Sequence, residues 1–92
     1  MPLTIPAEVL FRDLGGESVL LHLGSGQYFG LDEVGTRIWT LVAEGCEVED
    51  IEARLLSEYD AGPEAVHRDV VRIIDELRSR NLLEFDDASE AG

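Results

Sequence analysis

Short apolar runs, each closed by glycine, fill the first third of the chain. Val9 to Leu14 leads into Gly15-Gly16-Glu17, Ser18 to Leu23 leads into Gly24-Ser25-Gly26, and Gln27 to Leu31 is the third run. Glycine-bearing links of three residues between β-rich runs predict hairpins, so the three should form an antiparallel meander. A three-residue loop at Gly24 to Gly26 sets Leu23 opposite Gln27. Leu21 then faces Phe29, and Val19 faces Leu31, on one apolar side. His22 with Tyr28, and Leu20 with Gly30, share the other side. The third strand is last in the meander, so one edge is left for a helix or a partner to cover. Gly30 within that edge lets another backbone come close.

Beyond Leu31 the apolar period lengthens from two to 3.6. Asp32 can cap a helix whose stripe is Val34, Ile38, Leu41 and Val42, widened by Trp39, with Gly45 as terminator. Val48, Ile51, Leu55 and Tyr59 predict a second helix, with Glu49, Asp50, Glu52 and Glu58 outside. Gly62-Pro63 opens a third, since proline suits a first turn that needs no N–H. It continues through Val66, Val70, Ile73, Ile74 and Leu77 to about Arg80. Leu82 to Phe85 reads as one more short extended piece. Residues 1–85 are thus expected to be one domain, and 86–92 a disordered acidic tail with nothing to bury. Three strands followed by three helices is an α+β pattern.

Composition narrows the function more than the fold. Twenty acids face seven bases among 92 residues, for a net charge of −13. A field of that sign repels phosphate, and every base is arginine. Arg68, Arg72, Arg78 and Arg80 all fall on the third helix, but Asp69, Asp75 and Glu76 share its polar surface. Alternating signs of this kind predict a solvated, salt-bridged face, not a nucleic-acid surface. No apolar run reaches membrane-spanning length, and the first residues lack a signal-peptide pattern, so a cytoplasmic protein is expected.

Catalytic chemistry finds no foothold. Cys46 has no neighbouring histidine or basic cluster to activate it, and a single cysteine cannot make an internal disulfide. His22 and His67 lack ligand-spaced companions, so no metal is expected. Gly24-Ser25-Gly26 is too short for a phosphate cradle and precedes a strand. Glu47, Glu49, Asp50 and Glu52 suit a helix start and lack calcium-loop spacing. The residues give no catalytic set and no cofactor site.

The run Gln27-Tyr28-Phe29-Gly30-Leu31-Asp32-Glu33-Val34-Gly35-Thr36-Arg37-Ile38-Trp39 resembles the most recognisable segment of the PqqD-like family, the recognition elements that bind leader peptides of ribosomally made, modified peptides. Ile51, Leu55 and Tyr59, and then Arg68-Asp69-Val70, Leu77 and Leu82-Leu83, follow the same family's pattern, so the resemblance spans roughly residues 8 to 85. It implies a winged helix-turn-helix-like fold and peptide capture without catalysis. In that family the leader adds as a strand beside the third strand and lies against the third helix. Carried onto this chain, the strand side is Gln27, Tyr28, Phe29, Gly30 and Leu31. On the helix, one flank offers Asp69, Arg72, Ile73 and Glu76, the other His67, Val71, Ile74 and Arg78. The first is favoured because Asp69 matches the family's acidic position, with Val66 and Val70 as an apolar floor. Asn81 stands where the family usually has glycine, and asparagine also tolerates a left-handed cap. The Tyr28-Phe29-Gly30-Leu31 form, in a protein of about this size, is most similar to the partner in lasso-peptide systems, which presents the precursor's leader to a leader peptidase. A chaperone working with a radical-SAM enzyme is the alternative within the family, and an acidic winged-helix regulator the alternative outside it.

Overall fold

The computed structural model describes residues 3–85, so the expected acidic tail lies outside the described residues. The elements run β1 (Leu3–Thr4), β2 (Val9–Asp13), β3 (Ser18–His22), β4 (Gln27–Leu31), α1 (Glu33–Ala43), α2 (Val48–Glu58), α3 (Pro63–Ser79) and β5 (Glu84–Phe85). β2, β3 and β4 form the antiparallel meander in that order, leaving β4 at an edge. β1 was not foreseen. It pairs with β5, Leu3 opposite Phe85, and so ties the start of the described chain to the segment after α3.

The β3–β4 register departs from expectation by one residue. The link is four residues, Leu23 to Gly26, and it closes with the Gly26 N–H donating to the His22 carbonyl at 2.7 Å. Gly26 takes a φ of 73°, and the Ser25 N–H donates to His22 Nδ1 at 3.1 Å, which stabilises the longer turn. His22 therefore sits opposite Gln27, Leu20 opposite Phe29, and Ser18 opposite Leu31. Because side chains alternate, the slip exchanges the faces of β3. Leu20, and not Leu21, enters the core beside Phe29, and it is fully buried. Leu21 instead lies across from the exposed Tyr28 on the outer face.

The three helices cover the inner face of this sheet. The Asp32 carboxylate accepts from the Gly35 N–H at 2.8 Å and starts α1 as expected. Ile38, Trp39, Leu41 and Val42 from α1 meet Ile51 and Leu55 from α2 and Val70, Ile74 and Leu77 from α3 in one core. Phe11 of β2 stacks on Trp39, ring centroids 6.3 Å apart. A contact of this kind adds roughly 0.5–1.5 kcal/mol beyond area burial. Ser18 is a polar residue that β3 buries on its inner face. Its hydroxyl and that of Thr36 are 2.7 Å apart, so the buried pair satisfies itself.

α1 and α2 are also joined at the surface. Arg37 donates from Nε and Nη2 to both carboxylate oxygens of Glu58, at 2.8 and 2.6 Å. The hydrogen bonding and charge of Arg37 hold the Glu58 carboxyl below its usual range, and raise Arg37 in turn. Burial, with Glu33 and Glu58 nearby, pushes the Tyr59 phenol up. α3 starts at Pro63 after Gly62 and ends at Ser79, and Asn81 just beyond takes the expected left-handed conformation with a φ of 61°.

Candidate functional site

The hydrogen-bond pattern of the sheet fixes which backbone groups β4 leaves free. The Leu23 N–H donates to the Glu8 carbonyl at 2.9 Å, and the Leu14 N–H to the Glu17 carbonyl at 2.8 Å. Residues 17, 19, 21 and 23 thus aim their main-chain groups at β2. In an antiparallel ladder successive residues bond to opposite sides, so Ser18, Leu20 and His22 bond to β4. Their partners Leu31, Phe29 and Gln27 are spoken for. The N–H and C=O groups of Tyr28 and Gly30 point the other way, out from the sheet edge.

Across that edge stands α3. Between them runs a groove of about 200 Å³, lined by Phe29, Gly30, Leu31 and Asp32, by Gly35 of α1, and by Arg72, Ile73 and Glu76 of α3. The first flank of α3 is therefore the one that faces the strand. His67 and Val71, from the second flank, border a separate surface groove with Glu52 of α2, and Ile74 is buried in the core. Six of the residues singled out from sequence line the groove: Phe29, Gly30, Leu31, Arg72, Ile73 and Glu76. Val66 and Val70 do not supply its floor. They are 5 % and 0 % exposed and belong to the core, and Ile73 takes the floor position one turn later. Asp69 is exposed on the same face, one turn toward the helix start, with its carboxylate 4.0 Å from Arg72. Gln27 and Tyr28 flank the other end of the strand, where Tyr28 is 71 % exposed.

Three participants were not read as site residues from the sequence. Asp32 was read only as a cap, yet it closes the groove where β4 passes into α1. Gly35 lets that junction sit tight, because a Cβ there would come within 3.0 Å of Leu31 Cδ2 and 3.3 Å of Asp32 Oδ1. Its place within the Gln27-to-Trp39 run was the available signal. Arg80, just past α3, lays its guanidinium 4.7 Å from the centroid of Phe29 and 3.5 Å from Glu76 Oε1, and so bounds the groove at the Gln27 end. No sequence spacing reveals that contact, since it depends on α3 running antiparallel to β4. At Gly30 a Cβ would meet nothing within 4 Å, so the glycine is not required by crowding inside the chain. It leaves open space beside the free edge.

Along α3, Arg72 pairs with Asp69, Arg78 with Asp75 and Arg80, just past its end, with Glu76, while His67 Nδ1 meets Glu52 of α2 at 2.9 Å. Among the described residues no three His, Cys, Asp or Glu side chains gather as a metal site, and no helix is long and apolar enough to cross a membrane. What the site offers is main-chain hydrogen bonding along one edge, an apolar floor, and a charged helical wall.

An open-edged three-stranded meander packed on three helices, with the last helix walling the edge, defines a winged-helix-like α+β domain. The chain belongs to the PqqD family, described as coenzyme PQQ synthesis protein D, which it matches over residues 17–83. The solved structure of TbiB1 in complex with the TbiA(beta) leader peptide is similar at 40% identity, with a TM-score of 0.84 over 91% of this chain and 95% of that one. Lasso peptide synthetase B1 complexed with the leader peptide shares the fold at 21% identity, with a TM-score of 0.84 over 91% and 99% of the two chains. No curated protein matches.

Proposed function

We propose that this chain binds the leader segment of a ribosomally made precursor peptide by strand addition to β4 and presents it to a modifying enzyme. The observation that carries the reading is the free backbone edge at Tyr28 and Gly30 facing a groove walled by Arg72, Ile73 and Glu76. A strand laid there gains main-chain hydrogen bonds from any sequence and specificity from alternate side chains. TbiB1, a 40% identical relative, was solved with a leader peptide, which supports the same class of ligand here. The chain acts by binding, with no chemistry of its own, and works in the cytoplasm where precursor peptides are made. The enzyme served is a leader peptidase of a lasso-peptide pathway, a choice that rests on the Tyr28-Phe29-Gly30-Leu31 form of the edge strand.

Energetics place the affinity. Four backbone hydrogen bonds contribute ~0.5–1.5 kcal/mol each and two apolar anchors ~1.5–3 kcal/mol each. Ordering the peptide returns ~2–5 kcal/mol of that. The surplus centres on ~5 kcal/mol and reaches about 8 kcal/mol, the micromolar range, toward its favourable end. Calorimetric titration with the TbiA(beta) leader and with peptides encoded beside this chain's gene tests the reading. Micromolar heats are expected from at least one; silence from all of them at ~100 µM, well above that range, overturns it.

A further inference from the structure

Resting on the strand-addition reading, we infer that Arg72 and Arg80 are a specificity-determining pair that selects a peptide with acidic side chains four residues apart and an apolar one midway. β4 and α3 run antiparallel along the groove, since Arg80 sits with Gln27 to Phe29 while Arg72 lines the part that runs from Phe29 to Asp32. An added strand sends alternate side chains toward α3, namely those opposite Gln27, Phe29 and Leu31. The outer two of these are about 13 Å apart at ~3.3 Å per residue. Arg72 and Arg80 are eight helical residues apart, about 12 Å at ~1.5 Å each. The two periods coincide, so the first and fifth residues of the peptide frame meet the two guanidiniums. The third meets Phe29 and Ile73, where the apolar floor favours an apolar side chain, with the Arg80–Glu76 pair beside it. Because the frame is symmetric, the inference holds for either strand direction.

The arginines are open to such a partner. Their existing carboxylates lie at 4.0 and 3.5 Å on well-exposed side chains. Exposed pairs of this kind hold weakly, whereas a carboxylate delivered into the groove can meet a guanidinium in bidentate fashion. The chain's net −13 does not forbid it. Charges beyond about 8 Å are largely screened at physiological salt, so the local balance decides: the two guanidiniums against Asp69, Glu76 and, in the same groove, Asp32, whose contacts an incoming acid must displace.

A displayed library of random 12-residue peptides, selected on the full chain, tests this. Acids at the first and fifth positions of the frame are expected in the wild-type binders, and lysine or arginine at those positions in binders of the Arg72→Glu, Arg80→Glu double variant. In a synthetic consensus peptide, changing both acids to lysine should weaken binding by about tenfold or more, because like charges then face each other. Melting temperatures confirm that the variants fold; if Arg80→Glu disturbs Phe29, Arg80→Gln keeps the size and should relax selection at one end only. Binders with the apolar residue but no charge pattern, still lost in Gly30→Pro, would overturn the pair while leaving peptide capture intact. Binders indifferent to Gly30→Pro, or no binders at all, would overturn the strand-addition reading beneath it.

Discussion

Gly30→Pro separates binding from folding at the edge strand. The alternation of the ladder puts the Gly30 N–H on the open side, so proline there removes no bond to β3. Edge strands accept proline when its missing N–H faces outward. The free protein should fold, its melting temperature within a few degrees of wild type. The docked peptide, however, loses one donor and keeps a carbonyl without a partner. Losing the bond costs ~0.5–1.5 kcal/mol and the stranded acceptor adds ~1–3 kcal/mol. A total of roughly 1.5–4.5 kcal/mol, at least about tenfold in affinity, is expected by calorimetry. Phe29→Pro is the contrast, since its N–H faces β3; that variant should lose the strand outright. Amide exchange in the unmodified protein checks the same geometry. Tyr28 and Gly30 should exchange quickly alone and become protected with peptide, while Phe29 and Leu31 are protected throughout. A folded Gly30→Pro protein with unchanged affinity would show that the peptide does not use this edge. An unfolded one would show that the alternation is assigned the wrong way round.

Two further outcomes follow from the core and the surface. Leu20→Ala should destabilise by ~2–5 kcal/mol in denaturant unfolding, because it empties a fully buried position, while Leu21→Ala on the outer face should cost well under that; equal costs would refute the observed register. Arg37→Met should flatten the acid limb of the stability curve. The folded-state pKa of Glu58 is depressed, so its contribution is present above the usual glutamate range and lost as pH falls through the lowered value. The melting-temperature gap between wild type and Arg37→Met should therefore narrow from neutral to acid pH, and a constant gap would count against the pairing.

Helices were the legible part of this fold because their signals are redundant. Asp32 caps α1, Pro63 opens α3 and Asn81 stops it, and each agrees with the apolar period beside it. The two short strands at the ends were not equally legible. Leu82 to Phe85 carries an apolar run, but Leu3–Thr4 is two residues whose only reason to be a strand is its partner some eighty positions away. Long-range pairing of that sort leaves no local pattern to read.

The register error shows the harder limit. Leu20 and Leu21 are the same residue type side by side, so hydrophobicity alone cannot say which one faces the core. The decision fell to the turn, where counting glycines suggested three residues and the backbone uses four. Nonetheless the edge and its groove survived the slip, since Phe29 and Leu31 keep the inner face in either register. That is why the strand side of the candidate groove is legible in the sequence. The helix side could be named only as two flanks, because a stripe of apolar residues on α3 is bordered symmetrically until its partner strand is placed. Ile73 at 9 % exposure, set one turn past the sealed Val66 and Val70, is the residue that breaks the symmetry. It is buried enough to anchor a floor and lies where the groove meets β4. A helix side read from spacing alone reaches the core; only the position of the open strand tells which border of that core is left for a ligand.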